Sequence, residues 1–295
     1  MYEYGNARIA ALRQRLLDPG RLRQLAESRS TRDLVDQLRL EEDWRQFFST
    51  REPSPSAVRD DLYEVIARHR ASRLGVLRRW YEPPARLLVE ALVLPLDIEA
   101  VTALLRRRLG GESPEAIGRS VTPGGVLDAA GLAEVARAAS LPSALRLLGL
   151  LALTSRSAAE RLGALCESGA SWETVEAALV DACERARDER AAGRGDDAEQ
   201  VRALLSAERS RGRAVLAELL DHGIDSAAVL ERRGRLAELR DLARRARRDP
   251  LGIGVVAGYV AAVESQAIAL RAIVASVGAG WGRDRAAAYL AGGGA

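Results

Sequence analysis

The side chains that could carry acid–base or nucleophilic chemistry are few in this sequence. It contains two histidines, His69 and His222, and two cysteines, Cys166 and Cys183. A catalytic histidine needs an acid or nucleophile held beside it, and the spacing brings no such partner to either histidine. We therefore interpret the histidines as packing or capping residues, and the cysteines as small apolar groups within helices.

Acidic residues form three short clusters that could bind a metal or share a proton. They lie at 41–43, 60–61 and 196–197. Residues adjacent in sequence point apart on a helix, and acids at a helix start are stabilised by the positive end of the helix dipole. We interpret the clusters as solvated caps. The sequence therefore predicts no catalytic residue, no metal site and no bound cofactor.

One stretch has the spacing of a weak dinucleotide loop, with Gly252 and Gly254 followed by Gly258. Such a loop must follow a β-strand, whereas residues 244–248 continue a helical pattern rich in arginine. On a helix, Gly254 and Gly258 share one face and leave room for a second helix to approach. We therefore expect both glycines to serve helix packing.

The elements around these residues are all predicted to be helices. Ala, Leu and Arg dominate, aromatic residues make up 4%, and no alternating β-branched run indicates a strand. The uncharged run at 251–263 is too short for a bilayer, which needs about 20 residues, so a long buried central helix is expected there. Other helices are predicted at 4–17, 57–81 and 84–109, after a Thr31 cap, and from a Ser171 cap to Ala191.

Charge and the N-terminus limit the possible functions. The formal net charge is +3, from 44 basic and 41 acidic residues, and every basic residue is arginine. Proteins that bind polyanions usually concentrate positive charge on one face, so the near balance argues against nucleic acid as a partner. The N-terminus shows no basic segment followed by an apolar core, so we expect no secretory signal and a cytoplasmic location.

A weak internal repeat indicates three similar helical subdomains. Residues 132–135 (Leu-Ala-Glu-Val) reappear as residues 236–239 (Leu-Ala-Glu-Leu), and residues 22–38 match residues 132–148 more faintly as a first copy. Repeated helical units stack side by side and give broad concave surfaces. We predict one domain over 1–295, with subdomains at 18–82, 83–192 and 193–250 that are completed by helices at 4–17 and 251–290.

Four segments in this order form a recognisable pattern. They are residues 4–9 (Tyr-Gly-Asn-Ala-Arg-Ile), 94–101 (Leu-Pro-Leu-Asp-Ile-Glu-Ala-Val), 123–125 (Pro-Gly-Gly) and 249–254 (Asp-Pro-Leu-Gly-Ile-Gly). The ordered set resembles the central-stalk C subunits of the bacterial and archaeal V/A-type rotary ATPases, which are counterparts of the d subunits in the eukaryotic vacuolar enzyme. The resemblance covers nearly the whole chain, although Ala100 stands where the family commonly has Asn.

The resemblance implies a fold and a role. It implies an all-α funnel of three similar subdomains in a pseudo-threefold arrangement. One copy per complex would join the rotor shaft, made of the D and F subunits, to the cytoplasmic face of the membrane proteolipid ring. It would transmit torque between ATP turnover and ion (proton) transport without catalysis and without itself crossing the membrane. The positions that match the family, and so are structural or interface candidates, are Tyr4, Asn6, Arg8, Asp97, Tyr259, Glu264 and Arg271.

Two other functions stay open on the sequence alone. A free-standing helical-repeat adaptor would use the same kind of concave surface to bind another protein. A nucleic-acid binder would use the arginine clusters at 106–108 and 244–248, which could instead be solvated helix ends or face acidic partners. Neighbouring genes for rotary-ATPase subunits would count against the adaptor, and a nucleic-acid binder must lose affinity steeply with salt.

Overall fold

The computed structural model describes residues 2–48, 58–192, 197, 199–204 and 227–280, with the backbone alone at 119–120 and 227–232. Predictions for His222 and Asp196, and for parts of the subdomain at 193–250 and the helix at 251–290, lie outside these residues. The described residues contain helices and no β-strand, which confirms the all-α prediction. The helices are α1 (Glu3–Arg13), α2 (Pro19–Ala26), α3 (Thr31–Leu40), α4 (Glu42–Arg45), α5 (Val58–Gly75), α6 (Ala85–Leu109), α7 (Pro114–Ser120), α8 (Ala129–Arg137), α9 (Leu141–Leu150), α10 (Arg156–Glu167), α11 (Trp172–Ala191), α12 (Ala227–Ala246) and α13 (Ile253–Gly278).

The chain divides into two compact units. One consists of Met1–Gly5 and Ala71–Ala203, and the other of Asn6–Arg70 and Leu204–Ala295. We call them the middle unit and the terminal unit. The three subdomain boundaries and the funnel-like, pseudo-threefold arrangement stay predictions.

The central helix of the terminal unit is α13, which packs against α2, α3 and α12. Its side chains Leu270 and Ile273 share a core with Leu25 and Leu34 of the first helices. By length and composition α13 could cross a membrane, but 72% of its most apolar window is buried within the protein. That burial is typical of a core helix, and it confirms the long buried helix expected from the sequence.

Three helix ends differ from the sequence predictions. The helix predicted over 4–17 ends at Arg13. The cap of α3 is Ser30, whose hydroxyl accepts a hydrogen bond from the third backbone N–H of the helix, and Thr31 is already helical. Both residues carry a hydroxyl, but Ser30 has the extended backbone that a capping residue adopts, so Ser30 is the cap. The helix predicted over 57–81 ends at Gly75, where helix propensity is low, and a short 3₁₀ helix follows at Leu77–Trp80.

The closest backbone approach at the start of α13 is at Gly254. A Cβ on Gly254 would lie 2.6 Å from the carbonyl oxygens of Ala246 and Asp249, too close for any side chain. A Cβ on Gly258 would lie 3.4 Å from the Cβ of Ala246, at the edge of ordinary contact. The carboxylate of Asp249 also holds this start, because it accepts the N–H groups of Gly252 and Gly254, each at 2.8 Å.

Replacing Gly254 by Ala is expected to destabilise the protein, because the new methyl group would meet backbone oxygens that cannot rotate away. Overpacking of this kind costs about 1–3 kcal/mol. Gly258→Ala is the matched control and is expected to be neutral or slightly stabilising, because Ala forms helices better than Gly by about 1 kcal/mol. Thermal unfolding measures both variants, and equal losses would contradict the geometry.

The long buried helix of the middle unit is α6, which runs from Ala85 to Leu109 and continues through Pro95. It packs against α7, α8 and α11. Beside them, α9 and α10 form a closely packed hairpin. A Cβ on Gly149 of α9 would lie 2.8 Å from the Cβ of Ala159 of α10, so glycine permits this close approach.

Candidate functional site

His69 has a partner in the structure that the sequence did not reveal. Its Nε2 lies 2.9 Å from Oδ2 of Asp43, and its ring stacks on Trp44 with centroids 3.8 Å apart. His69 is 1% exposed and Asp43 is 8% exposed, so a substrate cannot reach the pair. The pair therefore stabilises the core. The interpretation of the acidic cluster at 41–43 as solvated is wrong for Asp43, because Trp44 brings short helix α4 into the core.

The cysteines are not arranged for chemistry. Cys183 is buried, and burial raises the pKa of its thiol to about 12, so the thiol stays protonated and unreactive. Cys166 is partly buried and makes no disulfide. Across the part of the chain that the structure describes, no group of three or more His, Cys, Asp or Glu side chains is placed to hold a metal ion.

Asp97 organises a loop in the middle unit. From α6, its buried carboxylate accepts four successive backbone N–H groups, those of residues 124–127, at 2.7–3.3 Å. Burial raises the pKa of Asp97 to about 6, and the four N–H donors oppose that rise. A Cβ on Gly124 would collide with the backbone of Leu96 and Asp97, so glycine is required at this position of the loop.

Glu264 and Asn6 also act within the fold. Glu264 of α13 forms a buried ion pair with Arg70 of α5. The side-chain amide of Asn6 in α1 donates to the carbonyl oxygens of Leu251 and Gly252, at 2.6 and 3.1 Å. Each contact ties an early helix of the terminal unit to the segment around α13. The structure therefore gives both residues a stabilising role.

The remaining family-matching residues divide by exposure. Tyr259 is fully buried in α13. Tyr4 is 61% exposed, and Arg8 and Arg271 are exposed as well. We call Tyr4, Arg8 and Arg271 the exposed family positions, because these three can meet a partner without rearrangement of the core.

The arginines at 106–108 bind groups around the end of α6. Arg106 makes a forked pair with Glu176 of α11, and Arg107 binds Glu112 at 3.2 Å. Arg108 donates to backbone carbonyls at the end of α8, at 2.9 and 3.1 Å. From the sequence, this cluster could be a solvated helix end or a surface that faces an acidic partner. The contact with Glu176 could not be predicted, because that residue lies far along the chain.

The second arginine cluster is partly engaged within its own helix. Arg244 and Arg245 bind the carboxylate of Asp241 at 2.7 and 2.8 Å, whereas Arg247 and Arg248 are exposed. The spacings of three and four residues place these pairs on one helix face. The sequence carried that signal, since Asp241 precedes the cluster by one helical turn.

Arg146 of the α9–α10 hairpin is a further residue that the sequence did not single out. Its guanidinium binds both carboxylate oxygens of Glu167 at 2.8 Å and one of Glu160 at 3.0 Å. These hydrogen bonds lower the pKa of Glu167 below its ordinary value. The side chain of Arg146 lies across Gly163, where a Cβ would be 2.8 Å from its Nε and 3.1 Å from its Cγ. The hairpin is thus linked by charge as well as by close packing.

Comparison with known families gives a match over more than half of the chain. The family described as the ATP synthase (C/AC39) subunit matches residues 5–183. This range includes Asn6, Arg8 and Asp97. It excludes Tyr4 and three positions on α13, which are Tyr259, Glu264 and Arg271. A search of curated proteins found no match.

Proposed function

We propose, on the premise that this chain belongs to the ATP synthase (C/AC39) subunit family, that it is the non-catalytic rotor joint of a V/A-type ATPase. The observation that carries the proposal is the family match over residues 5–183. In this role one copy would join the D and F subunits of the shaft to the cytoplasmic face of the proteolipid ring. It would transmit torque between ATP turnover and ion transport.

The contacts inside each unit support a mechanical role. A protein that transmits torque must resist shear between its helices, and close-packed protein interiors transmit strain. In the middle unit, Asp97 of α6 holds the loop at 124–127 through four hydrogen bonds. In the terminal unit, the Arg70–Glu264 pair joins α5 to α13. Both links are buried, so water does not compete for them.

The exposed family positions are the proposed partner contacts. Tyr4 offers an aromatic ring to a partner, and aromatic and arginine side chains are enriched at protein interfaces. Arg8 and Arg271 present guanidinium groups that can form forked bonds to carboxylates of an acidic partner. The proposed rotor role is carried by protein contacts of this kind, so it needs no nucleotide-binding group in this chain.

Purification of the tagged chain from its own host in mild detergent, with mass spectrometry of the associated proteins, tests the role. The expected companions are shaft subunits, head subunits and a proteolipid. A monomer, or a partner unrelated to rotary ATPases, would overturn the rotor assignment and favour a helical-repeat adaptor.

A variant sharpens the same experiment. Tyr4→Ala is expected to reduce the yield of companion subunits by about tenfold, the effect of losing roughly 1.4 kcal/mol of binding. Leu40→Ala is the matched control, because Leu40 is also a large exposed apolar residue, at 74%, and is not one of the candidate positions named from the resemblance. Equal yields for the two variants would remove Tyr4 from the proposed contact surface.

A further inference from the structure

The α12–α13 turn, residues 247–252 of the terminal unit, projects a leucine into solvent. The side chain of Leu251 is 82% exposed, more than any other large apolar side chain in the part of the chain that the structure describes. The backbone of the turn is fixed, because the side-chain amide of Asn6 donates to the carbonyl oxygens of Leu251 and Gly252 at 2.6 and 3.1 Å. The fold thus holds an apolar side chain in water at a defined position.

Two arginines lie beside this leucine in the sequence. Arg247 and Arg248 follow the last residue of α12, are exposed, and form no ion pair with a residue that the structure describes. Residues 241–252 contain four arginines and two aspartates, so their net charge is +2. Helix α1, which meets the turn through Asn6, contains one Glu and two Arg and does not offset this charge. The turn is therefore both apolar and positively charged.

Both aspartates of this segment are engaged within the protein. Asp241 binds Arg244 and Arg245 at 2.7 and 2.8 Å. The carboxylate of Asp249 accepts two backbone N–H groups at the start of α13, each at 2.8 Å. Arg244 and Arg245 lie in the last turn of α12, where cations complement the negative end of the helix dipole. The dipole therefore does not account for two further arginines beyond the end of the helix.

We propose that the α12–α13 turn docks on a membrane surface that contains anionic phospholipids. Leu251 would enter the boundary between the headgroups and the acyl chains, and the guanidinium groups of Arg247 and Arg248 would bind lipid phosphates. That boundary places an apolar layer directly beneath a layer of negative charge, so it matches an exposed leucine with arginines beside it. The choice of a membrane rests on the proposed function, which would hold this chain beside one.

Other anionic partners match the turn less well. A stable protein interface covers about 800 Å² on each partner and depends on well-packed anchors, among which leucine is under-represented. A single leucine at a turn meets neither condition, whereas a bilayer accepts an apolar side chain without a shaped pocket. Nucleic acid would use the arginines and leave Leu251 in water, because its affinity comes mainly from phosphate contacts.

Flotation of the purified full chain with vesicles of defined composition tests the proposal. Binding is expected on vesicles of phosphatidylcholine and phosphatidylglycerol, and about tenfold less or lower on phosphatidylcholine alone. Arg247→Gln with Arg248→Gln is expected to weaken binding to the anionic vesicles about thirtyfold, because each arginine near such a surface contributes about 1 kcal/mol. Arg156→Gln with Arg161→Gln is the matched control, since it makes the same charge change on exposed residues of α10.

Several results of this experiment would overturn the proposal. Losses of the same size in the two double variants would show that net charge, and not the turn, governs binding. Equal binding to both kinds of vesicle would exclude recognition of anionic lipid. Double-stranded DNA that binds as tightly as the anionic vesicles, and that loses as much affinity in the Arg247 and Arg248 variant, would show that the turn recognises phosphate without a membrane.

A change at Leu251 tests the apolar part of the contact. Leu251→Ser is expected to weaken binding to the anionic vesicles by about tenfold, because the leucine can no longer leave water for the bilayer. Leu40→Ser is the matched control, because Leu40 is a leucine of similar exposure, at 74%, on α3. Unchanged binding of Leu251→Ser would refute insertion and leave a purely electrostatic attraction.

The vesicle experiment can fail separately from the rotor assignment, because it uses this chain alone. A chain that ignores anionic vesicles but co-purifies with shaft subunits and a proteolipid would refute the docking turn and keep the rotor role. A chain that binds the vesicles through the turn but co-purifies with none of these subunits would refute the rotor role and keep the docking turn.

Discussion

Replacing Asp97 by Ala is expected to lower the free energy of unfolding by about 3–5 kcal/mol. The change leaves four buried backbone N–H groups, those of residues 124–127, without their acceptor. Each orphaned buried group costs about 1–3 kcal/mol, and water entering the loop recovers part of that loss. Denaturant unfolding measures the effect. A loss below about 1 kcal/mol would show that the loop holds its conformation without the carboxylate.

The pH dependence of the same variant gives an independent check. Burial raises the pKa of Asp97 from 3.8 to about 6, so the folded state binds this proton more tightly than the unfolded state. The contribution of Asp97 to stability therefore grows as the pH falls from about 6 to about 4. The gap between the natural protein and Asp97→Ala is expected to be wider at pH 4 than at pH 7, by up to about 3 kcal/mol. A narrower gap at pH 4 would mean that the four N–H donors outweigh burial.

Removing one partner of the Arg70–Glu264 pair is expected to lower the free energy of unfolding by as much as Asp97→Ala does. Their side chains are 11% and 7% exposed, so Glu264→Leu leaves a guanidinium in the core without its counter-ion. Breaking a buried pair in this way costs about 3–5 kcal/mol. Arg70→Met is expected to cost a similar amount, because it leaves the carboxylate alone. Chemical unfolding of the two single variants measures both losses.

The double variant, Arg70→Met with Glu264→Leu, is the control for this prediction. It removes both charges and keeps apolar side chains in their place, so it is expected to recover most of the loss. A double-mutant cycle then gives the coupling between the two residues. If the loss in the double variant equalled the sum of the two single losses, the cost of each single change would come from packing and not from the unpaired charge.

The helical class and several helix ends could be predicted because their causes are local. Ser171 caps α11 as expected, since a capping side chain reaches N–H groups only two or three residues away. The central helix α13 could be predicted because it contains a long uncharged apolar run. The partners of His69 and Glu264 could not be predicted, because Asp43 and Arg70 lie 26 and 194 positions away. Such pairs form through tertiary packing, which no spacing rule encodes.

The candidate positions show the same limit for function. The family resemblance selected Asp97, Glu264 and Tyr4 together, although the first two are buried and the third is exposed. A match between sequences does not distinguish a residue that holds the fold from one that meets a partner, because both are retained for a physical reason. The close approach of α9 to α10 at Gly149 could not be predicted for a further reason, because an isolated glycine in a helical pattern does not reveal what lies opposite it.

The terminal unit is built from the two ends of the chain, and this has a consequence for synthesis. Asn6 binds the carbonyl oxygen of Leu251, 245 positions later, and α2 and α3 pack on α13. Ribosomes add about 5–20 residues per second, so the first helices wait roughly 10–40 s before α13 emerges. The middle unit, Ala71–Ala203, is complete before that moment. We therefore expect the middle unit to fold first, and the first seventy residues to complete their core only after α13 has been synthesised.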